Sequence, residues 1–85
     1  MSRHTVTVEQ VTYTYGFDGC VPEYFLMSMT KTGIKAYLVG EMSNLSGTAG
    51  NLMSELGRLK LVGLVPQKHL QFINSDLPIP QGEYV

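Results

Sequence analysis

The sequence predicts an α+β domain: an antiparallel sheet of three to four strands with one helix packed across one face, in the order β-β-β-α-β. Three observations predict it. Val, Thr and Tyr alternate near the start of the chain. Two more β-rich runs flank the turn-like Lys31-Thr32-Gly33. A single apolar stripe at helical spacing then runs from Leu45 to Leu59. Strands of period two and one helix of period 3.6 bury their apolar faces most economically by packing on each other.

The first strand covers Thr5 to Tyr15. Val6 and Val8 share one phase; Val11, Tyr13 and Tyr15 share the other. The slip at Glu9-Gln10 reads as a β-bulge or a change of face. Gly16 to Pro22 holds two glycines, an Asp and a Pro and reads as a loop. Strand character resumes from Glu23 to Thr30, with Phe25, Met27 and Met29 on one face and Tyr24 and Leu26 on the other. Lys31-Thr32-Gly33 forms a turn with Gly at a left-handed position. The return strand is Ile34 to Met42.

The helix spans Ser43 to Lys60. Leu45, Ala49, Leu52, Leu56 and Leu59 step by four, three, four and three, which lines one face. Ser43, Asn44 or Ser46 could cap it. Leu61 to Pro66 is a covered connection or a short strand. His69 to Asn74 reads as a strand or docked extension, with Leu70 and Phe72 inward. From about residue 75 the chain is a Pro-interrupted tail, since Pro78, Pro80 and Gly82 exclude a central strand. Residues 1–85 form one domain.

Composition narrows the function classes. The chain has 85 residues, a net charge of −1 and 15% charged residues. Its longest apolar run is four residues, far below the roughly 20 that a membrane-spanning helix needs. A near-neutral balance makes direct nucleic-acid binding an unfavoured reading. The first residues carry no apolar leader, and the single cysteine cannot pair within the chain. Both point to the cytoplasm.

No motif assigns catalytic chemistry. Cys20 lacks a nucleophile signature and reads as a buried or loop thiol. His4 and His69 lack metal-ligand spacing. Seven carboxylates are scattered along the chain. Ser46 to Asn51 resembles a phosphate cradle in composition but lacks its Lys-Ser/Thr, and reads as helix packing. No catalytic residue, metal ligand or cofactor is assigned. Arg58, Lys60, Lys68 and His69 form the main basic concentration, and an alternative reading makes the region from Arg58 to His69 a small nucleic-acid-binding surface.

The tyrosines carry the favoured reading. A sheet with one covering helix leaves a second face either wet or paired with something. Tyr13, Tyr15, Tyr24 and Tyr37 are the large amphipathic side chains available to it, and tyrosine is enriched in binding hot spots. The same face could form a homodimer. Several methionines in the ordered elements would make the core or the exposed face adaptable.

The opening Met1-Ser2-Arg3-x-Thr5-Val6 resembles the start of small phage-encoded type I anti-CRISPR proteins. So does the layout: a Thr/Val strand, a hairpin, then a Gly- and Ala-containing helix. The resemblance implies a phage or mobile-element protein acting in the host cytoplasm. It implies a non-enzymatic inhibitor or adaptor that binds a host protein or ribonucleoprotein complex, such as a CRISPR effector. It assigns no site residue.

Overall fold

The computed structural model describes residues 1–82. Four strands form one antiparallel sheet in sequential order: β1 (His4–Val8), β2 (Val11–Asp18), β3 (Glu23–Thr30) and β4 (Lys35–Val39). Helix α1 (Ala49–Arg58), a short 3-10 turn (Val62–Leu64) and helix α2 (Gln67–Asn74) follow. The class is α+β, as expected. The order is β-β-β-β-α-α, which corrects the expected β-β-β-α-β.

The extra strand arises at Glu9-Gln10. The phase slip there is neither a bulge nor a change of face. It is a hairpin turn, with Glu9 in the left-handed region at φ 58°. Val8 then stands opposite Val11, and Val6 opposite Tyr13. Directly opposed residues share a face, so both valines join Tyr13 and Tyr15 on one side. The expected loop is also shorter: Gly16, Phe17 and Asp18 continue β2, pairing with Phe25, Tyr24 and Glu23. Gly16 belongs there because a side chain would strike the Ser2 carbonyl, whose backbone runs alongside.

The expected turn before β4 is present, with Gly33 at φ 91°. β4 is shorter than expected because Gly40, at φ 96°, ends it. A bulge at Leu38 shifts its pairing between Met27↔Tyr37 and Leu26↔Val39.

Helix α1 begins later than its stripe suggests. Thr48 caps it, its Oγ1 accepting from the Asn51 N–H at 3.2 Å. Leu45 therefore lies outside the helix. Gly47 lies against β3, where its carbonyl accepts from the Tyr24 N–H at 2.9 Å. The phosphate-like run is thus divided between a packing loop, Ser46 to Thr48, and the first turn of α1.

Residues from Gln67 form a helix, not the expected strand or extension. Pro66 precedes the first turn, and Gln67-Lys68-His69-Leu70-Gln71 is a run with good helix formers. Its buried residues, Leu70 and Ile73, are three apart; the apparent two-residue period of Leu70 and Phe72 was misleading. The segment from Ser75 onward also contributes to the core, through Ile79.

The core lies between the sheet and the helices. Tyr15, Tyr24, Leu26 and Val39 meet Leu52, Leu56, Leu61, Val65, Leu70, Ile73 and Ile79. Both helices and the C-terminal segment thus serve one face of the sheet. The other face carries none of the buried side chains.

Candidate functional site

Alternation along β3 builds the outer face. Tyr24 and Leu26 turn into the core, so Phe25, Met27 and Met29 turn away from it. Their partners on β2 are Gly16, Thr14 and Thr12. These are small, so the β3 side chains stand proud of their neighbours. On the other side, Tyr37 pairs with Met27 and Lys35 with Met29. The result is an apolar ridge flanked by threonines and by the terminal strand.

Met1, Phe25, Met27, Tyr37 and Met42 line a shallow concavity of about 150 Å³ on this face. Met1 and Met42 are exposed, and Met29 and Tyr37 are partly so. The rim is charged with both signs. The Arg3 guanidinium carbon lies 5.7 Å from the centroid of the Phe25 ring. Glu23 Oε1 accepts the Glu41 backbone N–H at 3.0 Å, and Asp18 completes the edge. Methionines offer soft, re-packable contact, and Phe and Tyr offer rigid area. Such a patch can bind a protein surface; it offers no nucleophile paired with a base.

The four tyrosines do not share this face. Tyr15 is 1% exposed and Tyr24 is 2% exposed. Tyr13 is half-buried against the core. Of the four, Tyr37 alone stands on the outer face. The hairpin at Glu9-Gln10 and the alternation of β3 together fix this outcome. In the sequence, Phe25, Met27 and Met29 share one face, but nothing local to them marks that face as a candidate site. The signal that finds them is the small Thr12, Thr14 and Gly16 opposite.

The buried tyrosines instead anchor the C-terminal half. Tyr24 Oη donates to the Leu77 carbonyl at 2.6 Å, and burial raises its pKa above the ordinary range. Tyr15 Oη is 2.6 Å from His69 Nδ1. The His4 and His69 rings lie against each other, tilted by 44°, with centroids 4.1 Å apart. His4 Nε2 donates to the Pro80 carbonyl at 2.8 Å. This cluster ties β1 and β2 to α2 and the C-terminal segment.

Burial, and after it the neighbouring His4, lowers the pKa of His69 below its ordinary value of 6.5. The unfolded chain therefore binds a proton that the folded chain resists, and stability falls as pH drops through and below 6.5. The melting temperature is expected to decline between about pH 7 and pH 5. His69→Gln should flatten that decline, and an unchanged slope would show that another group carries it. The depressed Glu55 carboxylate, held by Arg58, acts in a separate window below 4.5.

The structure places two members of the basic stretch in contacts within the chain. Arg58 is bound to Glu55 at 2.7 Å, and His69 turns inward to Tyr15. Cys20 is exposed in the turn before β3, its N–H donating to Asp18 Oδ1 at 3.0 Å. Among the described residues, no group of three or more His, Cys, Asp or Glu could hold a metal ion. No helix among them is long and apolar enough to cross a membrane. Comparison with family models, with curated proteins and with solved structures finds no match to the chain.

Proposed function

We propose that the protein is a non-enzymatic, protein-binding inhibitor or adaptor that seats a partner on the outer face of its sheet. One observation carries this reading. Phe25, Met27, Met29 and Tyr37 lie together on a face that neither helix covers. Apolar and aromatic groups inside a charged rim are the anatomy of a binding patch. The resemblance of the N-terminal residues and layout to type I anti-CRISPR proteins supports a host ribonucleoprotein as the partner class. In that reading the chain comes from a phage or mobile element and works in the host cytoplasm by blocking a surface.

The test is binding of the purified protein to a type I CRISPR effector complex, measured alongside interference activity. The wild type should bind and inhibit. Tyr37→Ala should weaken binding roughly thirtyfold, the effect of losing an anchor of about 2 kcal/mol. Met27→Glu should weaken it further by placing a charge in the centre of the ridge. Lys60→Ala, beyond the end of α1, should leave it unchanged. Equal binding by all these folded variants would remove the outer face as the site. Retention on DNA or RNA that falls steeply with salt would instead favour the nucleic-acid reading.

A further inference from the structure

The two edges of the sheet are treated differently. At the β1 edge, Ser2 pairs inward: its N–H donates to the Phe17 carbonyl at 2.9 Å. Arg3 therefore points its backbone outward, and the Gln81 side chain meets it. Arg3 N–H donates to Gln81 Oε1 at 2.6 Å, and Gln81 Nε2 donates to the Arg3 carbonyl at 3.3 Å. That amide takes the place of a neighbouring strand. His4 adds its ring bond to the Pro80 carbonyl. One end of the β1 edge is thereby closed.

The β4 edge has no such guard among the described residues. The Thr30 N–H donates to the Ile34 carbonyl at 2.9 Å, so Ile34 faces β3. Antiparallel ladders alternate, so Ala36 faces β3 as well, while Lys35 and Tyr37 turn their N–H and C=O groups outward. Ile34, Lys35, Ala36 and Tyr37 are all exposed, Ile34 to 66%. The bulge lies beyond them, at Leu38, so the outward-facing stretch is regular.

We propose that the β4 edge pairs antiparallel with the β4 edge of a second copy of this chain, joining two sheets into one. The sequence of the edge is self-complementary about Ala36. With Ala36 on the two-fold axis, each Lys35 faces the other copy's Tyr37, and the bulge at Leu38 lies outside the paired stretch. The outward groups of Lys35 and Tyr37 then satisfy one another in a narrow hydrogen-bonded pair. The aliphatic stem of Lys35 lies along the tyrosine ring, with its ammonium free to approach the ring face. The two small Ala36 side chains meet where cross-strand groups come closest. An isologous contact of this kind closes on itself. Because the contact closes on itself, assembly stops at two copies, and the Gln81 guard disfavours strand addition at one end of β1. The dimer shares Tyr37 with the outer face, but it does not rest on that face being a partner site.

Ala36 lies on the side of the sheet away from that face, which makes it the clean probe. Sedimentation equilibrium is run on the full chain from about 10 to 500 µM, the range in which short interfaces form. The wild type should move from the 9.4 kDa monomer towards twice that mass. Ala36→Glu and Ala36→Lys should each stay monomeric while melting as the wild type does, because like charges then face each other across the axis. Mixing the two variants should restore association, since opposite charges now meet. A synthetic chain with an N-methyl group at Lys35 loses one outward donor and no inward one. Its dimer should weaken at least tenfold. A wild type that remains monomeric at the top concentration overturns the proposal. So does association that both Ala36 variants leave untouched, whatever Met27→Glu does to it.

Discussion

Leu52→Asp is expected to abolish the cooperative thermal transition. Leu52 is fully buried in the middle of α1, next along the stripe from Leu56. Losing its apolar burial costs roughly 2 kcal/mol. Seating an unpaired carboxylate there costs several kcal/mol more. A domain of this size has a stability near the low end of the usual range of about 5–15 kcal/mol. The sum is comparable to the whole. Circular dichroism during a thermal scan should show no cooperative melt, while Ser54→Asp, on the exposed side of the same helix, should melt within a few degrees of the wild type. A folded Leu52→Asp protein would mean that α1 does not cover the sheet as described.

The second large effect is at Gly40. This residue ends β4 at φ 96°, and a Cβ there would lie 2.7 Å from the Tyr24 carbonyl oxygen and 3.3 Å from the Phe25 Cα. Both neighbours are backbone of β3 and cannot step aside. Gly40→Val combines a left-handed conformation that a β-branched residue strongly resists with a collision against a fixed strand. A loss of about 3 kcal/mol or more is expected by denaturant titration. Gly33 supplies the control. It sits at φ 91° with open space around it, so Gly33→Ala should cost only about 1 kcal/mol of backbone strain. Equal losses at the two positions would show that strain alone decides, and that the close approach to β3 is not felt.

Sequence reasoning reached the class of the fold because local periods dominate it. Phe25/Met27/Met29 against Tyr24/Leu26, the Gly33 turn and the Leu52–Leu56 stripe are each visible within a dozen residues. What escaped it depended on distance. A two-residue turn and a bulge produce the same slip of phase at Glu9-Gln10, and only the pairing of Val8 with Val11 tells them apart. Leu70 and Phe72 suit a strand, while Leu70 and Ile73 suit a helix; the sequence around them offered both. The burial of Tyr15 and Tyr24 is hidden from local reading for a related reason. Tyrosine is common in cores when its hydroxyl has a partner, and here the partners are His69 and Leu77, more than fifty residues away along the chain. No local pattern announces such a bond. The outer face was readable in pieces, but the side that the helices choose is settled by the hairpin register.

The Gln81 contact with Arg3 has a kinetic meaning as well. Every strand of this sheet pairs with its neighbour in sequence, so each ladder closes through a short connection and little chain entropy is lost on the way. The bond between residues 3 and 81 is different: it joins positions 78 apart. It must wait until residue 81 has left the ribosome, and during synthesis β1 can complete its hairpin long before that end of its edge is covered. Ties of that kind, exposed and at the margin of the cooperative unit, are also among the first to open in the native state. That end of β1 is thus bare while the sheet is being made and during its local openings, and the interval before residue 81 arrives leaves it open to a foreign strand.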